Sequence, residues 1–122
     1  MSLAIKALWE PLRSVTAVQI AASVDGGGNP VYLGIGTSLN FPSRQIFIQN
    51  YTDAPLLFSF DNVNDHFPLA PSQFLLDDIA SNKTLETGYF LARGDRLYVK
   101  YLPGVAPTTG SVYFSTLYGV DY

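Results

Sequence analysis

Short β-patterned runs, each closed by glycine, proline, asparagine or aspartate within about ten residues, constrain this chain more than any other feature. The alternation is cleanest from Arg96 to Tyr101, where Leu97, Val99 and Tyr101 share one face and Arg96, Tyr98 and Lys100 the other. Arg44 to Asn50 repeats it, with Ile46 and Ile48 opposed to Gln45, Phe47 and Gln49. Pro55 to Phe60 follows, setting Leu56, Phe58 and Phe60 against Leu57, Ser59 and Asp61. The link Tyr51-Thr52-Asp53-Ala54 predicts a hairpin that makes these two strands the central pair of the core. Further strands are expected at Ser14 to Ala22, from the β-branched Val15, Thr16, Val18 and Ile20, and at Val31 to Leu39, weakened by Gly34 and Gly36. Gln73 to Ile79, Thr87 to Arg93 and Ser111 to Leu117 complete the set. No long helical period competes. The pattern predicts an all-β fold, a single antiparallel β-sandwich or small jelly roll with extended terminal arms.

The 122 residues suit one domain with a real core: an N-terminal arm over 1–13, a sandwich over 14–117 and a tail over 118–122. There are no cysteines, so packing rather than disulfides or thiolate metal sites must stabilise it. Only 14% of residues are charged, against about 25% in an ordinary soluble domain, while apolar residues reach 48% and tyrosines number eight. Charge is depleted and tyrosine enriched where surfaces meet, so the composition predicts a subunit that hides much of its exterior against neighbours. The arm carries Leu3, Ile5, Leu8 and Trp9, which either dock on an adjacent subunit or fold back over their own sheet; Tyr98, Tyr113, Tyr118 and Tyr122 are the other candidate interface residues. A net charge of -3 without a basic cluster gives nucleic-acid binding little electrostatic support. No run approaches the about 20 apolar residues of a membrane span. Lys6 inside the N-terminal apolar run, then Glu10 and Pro11, do not read as a signal peptide, so the chain is expected to be made and kept in the cytosol until it assembles.

Chemistry-bearing motifs are few. The Gly26-Gly27-Gly28 loop lacks both the lysine-bearing phosphate-loop pattern and the dinucleotide spacing. Asp61, Asn62, Asn64, Asp65 and His66 offer oxygen ligands for Ca²⁺, yet His66 stands where the EF-hand loop needs glycine and Ser72 where it needs a bidentate glutamate. These residues are better read as a turn bonded to its own backbone that presents a contact loop. His66 is the sole histidine, and no nucleophile elbow accompanies it. Asp77, Asp78 and Glu86 have no spacing that marks them as a hydrolytic pair. No catalytic residue, cofactor or metal is expected. Outward tyrosines suit a sugar ring as well as a protein surface, and tyrosine enrichment at protein contacts favours the latter.

Four segments carry a resemblance: Gln49-Asn50-Tyr51-Thr52-Asp53-Ala54, Phe58 through His66, Ser81-Asn82-Lys83-Thr84 and Leu97-Tyr98-Val99-Lys100. Over about Val15 to Gly119 the chain resembles small virion structural proteins of tailed bacteriophages. The resemblance implies a β-sandwich subunit of the virion, used as head-tail adaptor, collar piece, fibre anchor or capsid decoration. Its partners would be further copies of itself and other virion proteins, with no nucleic acid or membrane, and it brings no catalytic residue. A carbohydrate-binding module reading a host-surface glycan through tyrosines and the Asp61 to His66 loop is the alternative.

Overall fold

A computed structural model describes residues 5–78 and 91–121. Two antiparallel sheets pack face to face. In the first, strand β1 (Ile5–Trp9) and strand β2 (Arg13–Thr16) lie end to end along one side of the long strand β9 (Ser111–Asp121). Strand β4 (Gln45–Asn50) takes the other side of β9, and β7 (Phe74–Asp78) follows it. The second sheet runs β3 (Leu33–Gly34), β8 (Tyr98–Tyr101), β5 (Leu56–Ser59) and β6 (Phe67–Leu69). The chain crosses between sheets after β2, β3, β4, β6, β7 and β8, the winding of a jelly roll.

The core is built from the faces that alternation predicts. Ile46 and Ile48 point inward from β4, Leu56 and Phe58 from β5, and Leu97, Val99 and Tyr101 from β8 and its approach. Ile48 stands opposite Phe114 and Asn50 opposite Val112, so β9 contributes its own inward row.

Four expectations are corrected. The strand expected over Ser14 to Ala22 ends at Thr16, and helix α1 (Ala17–Ala22) takes over. Thr16 caps it: its hydroxyl accepts from the Gln19 N–H while the Gln19 side chain accepts from the Thr16 N–H, a reciprocal capping box. That arrangement turns Ile20 into the core and leaves Val18 outside, overriding β-branching.

The second correction concerns the hairpin. Strands β4 and β5 belong to different sheets, so Tyr51 to Ala54 is a corner between layers. Asn50, fully buried, makes it. Its amide nitrogen donates to the carbonyls of Ala54 and Leu69, each at 3.0 Å, and its oxygen accepts from the Thr52 N–H at 3.0 Å and the Thr52 hydroxyl at 2.6 Å. Gly110 packs on the same corner with φ of +91°, where a Cβ would fall 1.9 Å from the Tyr51 carbonyl oxygen. Asp53 ties in the loop that precedes β9 by accepting from the backbone N–H groups of Thr108 and Thr109.

The third is that the ends form strands. The Ile5–Trp9 segment pairs with Leu117–Asp121 of its own chain, so folding back is the arrangement seen, and 118–121 continues β9 instead of forming a separate tail. The fourth is that the strand expected over Val31 to Leu39 shrinks to Leu33–Gly34: Gly36 turns the backbone to a φ of 62°, and its carbonyl accepts from the Arg96 side chain at 2.8 Å. Leu3, Tyr122, Glu86, the Ser81 to Thr84 loop and most of the strand expected at Thr87 to Arg93 lie outside the described residues.

Candidate functional site

Because Ile46, Ile48 and Asn50 face inward, Gln45, Phe47 and Gln49 face outward. The register carries that outer face across the first sheet. Phe47 stands between Ser115 of β9 and Leu76 of β7, and Gln49 between Tyr113 and Phe74. Leu117 stands opposite Trp9 on β1. The two central rows, Ser115-Phe47-Leu76 and Tyr113-Gln49-Phe74, therefore contain no charge. Phe74 and Leu76 are each 63% exposed and Trp9 62%. Phe47 and Phe74 meet edge to face at 5.6 Å, and Tyr51 packs edge-on against Tyr113 at 5.8 Å while its hydroxyl accepts from the Gln49 amide at 3.0 Å. A solvent-facing sheet of a sandwich ordinarily alternates to polar residues here. This one presents aromatic and aliphatic groups to water instead.

The second sheet's outer face is different in kind. Tyr98 and Lys100 project from β8, with the Arg96 guanidinium 5.7 Å from the Tyr98 ring centre and the Lys100 ammonium 4.5 Å from that of Tyr32. Asp65 closes the cluster: the Tyr32 hydroxyl donates to it and Lys100 Nζ lies 3.2 Å away. The Tyr32 and Lys100 interactions hold the Asp65 carboxyl below its usual range, while burial and then the hydrogen bond to Asp65 push Tyr32 up.

The loop from Asp61 to His66 is bonded to its own backbone, as expected. Asp61 accepts from the N–H groups of Asn64 at 2.8 Å and Val63 at 2.9 Å, and from the Asn64 side chain at 2.7 Å. Those bonds hold its carboxyl well below the usual carboxylate range. Asn62 takes a left-handed conformation with φ of 65°. His66 Nδ1 accepts from the Phe60 N–H at 3.0 Å, fixing the loop's end. Among the described residues no group of three or more His, Asp or Glu gathers where it could hold a metal ion.

The named interface residues thus fall apart into separate places. Trp9 and Tyr113 lie on the outer face of the first sheet, and Tyr98 lies on the second. Tyr118 is stacked on Phe41 at 4.0 Å, and the half-buried Leu8 is its strand partner. Phe47, Tyr51, Phe74 and Leu76 were missed as a surface. Phe47 was legible on the outward side of its strand, and the run Phe74-Leu75-Leu76 was the remaining signal.

Sequence reasoning also missed a buried ion pair. Arg13 Nη2 lies 2.9 Å from Glu10 Oε1, with both side chains almost wholly buried. Arg13 also donates to the carbonyls of Thr37 at 2.7 Å and Ser38 at 2.9 Å, and the Asn40 N–H donates to Glu10 at 3.1 Å. Burial pushes the Glu10 carboxyl up, but Arg13 and Asn40 outweigh it and leave it below its ordinary value. A cleft of about 310 Å³ beside the pair is lined by Pro11, Leu12, Ser14 and Gly36 among others, but Arg13 has already turned its donors to Thr37, Ser38 and Glu10.

Compared with known protein families the chain matches none, and no curated protein sequence matches it.

Proposed function

We propose that this chain is a non-enzymatic structural subunit of a phage particle, forming a symmetric oligomer that joins or anchors other virion proteins. The observation that carries the reading is the outer face of the first sheet, where Phe74 and Leu76 are 63% exposed beside Phe47 and Tyr113 without a charge between them. Large exposed apolar patches mark contact sites, and aromatic groups with little charge are the composition of interface centres. The jelly-roll winding is compatible with it, being common among capsid domains, though lectins share the fold and it does not choose between them.

The glycan reading has less behind it. A sugar stacks on an open ring, yet Tyr98 has Arg96 over it, Tyr118 is stacked on Phe41 and Tyr113 packs against Tyr51. Light scattering coupled to size exclusion, followed by binding to purified virions, tests the proposal. Oligomers that bind virions are expected; a monomer at high concentration that fails to bind them overturns it. A saturable glycan-array signal lost in Tyr98→Ala would replace it with the alternative.

A further inference from the structure

We propose that β1 is an exchangeable strand: Ile5–Trp9 of one copy pairs with Leu117–Asp121 of a second copy, in the register it holds within its own chain. The inference rests on the oligomeric reading above and names the element that links the copies. Strand β1 contributes nothing to the buried core among its described side chains. Lys6, Ala7 and Trp9 are exposed, Leu8 is half-buried, and β9 is its main neighbour. What holds it is main-chain pairing, which is the same whichever chain supplies the strand.

The junction is built as a hinge. Trp9 faces Leu117 and Arg13 faces Phe114, so the three residues Glu10, Pro11 and Leu12 stand opposite only two, Ser115 and Thr116. This is a bulge, which bends a strand, and Pro11 brings no N–H to continue the ladder. The pivot is the Trp9–Glu10 link, because Glu10 itself is held without β1: its N–H donates to the Thr116 carbonyl at 3.1 Å, and its carboxylate is held by Arg13 and Asn40. β1 can therefore lift while β2 and the sandwich stay as they are. Trp9, next to the hinge, has 62% of its surface in water, so lifting β1 uncovers little of its apolar area.

Facing antiparallel residues have Cα atoms about 4.5–5.5 Å apart, within disulfide range, and the native chain has no cysteine to interfere. Ala7 faces Gly119. Chains carrying Ala7→Cys alone and chains carrying Gly119→Cys alone are co-expressed, purified together and oxidised. The expected product is a species of doubled mass on a non-reducing denaturing gel, with peptides 7 and 119 joined by mass spectrometry. The double variant A7C/G119C serves as the second arm. If it oligomerises by light scattering but closes only within single chains, exchange is overturned while the oligomeric reading survives. If it oligomerises and forms no disulfide, the pairing itself is overturned. If it is monomeric throughout, exchange and the oligomeric reading fall together.

Discussion

Asn50 shows how one side chain directs the chain from one layer to the other. A buried amide is costly unless each of its groups is bonded, and here both nitrogen hydrogens and the oxygen are used. Asn50→Ala would remove the Asn50 partner of the Leu69 carbonyl and the Thr52 N–H, and leave the Ala54 carbonyl with the Thr52 hydroxyl alone. The expected loss is about 3 kcal/mol, read as a lower urea midpoint at unchanged slope. Asn50→Asp should do no better, because a carboxylate accepts but cannot donate to the two carbonyls. Recovery of wild-type stability by either variant would show that the corner does not depend on these bonds.

At the scale of elements, the Glu10–Arg13 pair fastens the junction of β1 and β2 to the loop at Thr37 to Asn40. Since the Glu10 carboxyl is held below its ordinary value of 4.5, it contributes stability above that pH and loses it as pH falls through the lowered folded value. Asp53, lowered to about 2 by its bonds to Thr108 and Thr109, acts in the same direction. Acid destabilisation is therefore expected to set in as pH falls through the ordinary carboxylate range and to continue below it. Glu10→Gln should flatten the upper part of that limb while costing about 3 kcal/mol at neutral pH, because Arg13 stays buried without its counter-charge. Thermal melts of both proteins across the acid range measure it, and identical profiles would remove Glu10 from the account. Neither the pair nor the β4 to β5 corner was legible in the sequence. Alternation of period two fixes which side chains face inward, and Leu97, Val99 and Tyr101 were placed correctly by it. It is silent on which sheet the next strand joins, and that is settled by Asn50 reaching Leu69, far along the chain. Helix α1 left a signal, Thr16 with Gln19 at capping-box spacing, which the β-branched run around it masked.

For the whole molecule, a core that closes by itself leaves the outer face of the first sheet with only a small part in holding the fold together. Ile48, Phe58, Val99 and Phe114 are buried and fill the space between the layers. Phe74 and Leu76 remain in water on the far side of β7's sheet. Folding stability and assembly should therefore separate under mutation. The double variant Phe74→Ser/Leu76→Ser removes apolar surface that is already mostly exposed, so its melting temperature should stay within a few degrees of wild type. Its oligomer should dissociate at protein concentrations where the wild type stays assembled, because burial of those groups at a contact contributes about 25 cal/mol per Å². Phe58→Ala is the complementary case: an emptied core site should cost about 4 kcal/mol in the folded subunit. Light scattering over a dilution series, run beside the melts, distinguishes the two effects. If the serine pair assembles like the wild type, the two uncharged rows of that face are not where the copies or their virion partners meet. The second sheet, with Arg96, Lys100 and Asp65 outward, would then be the surface to alter next.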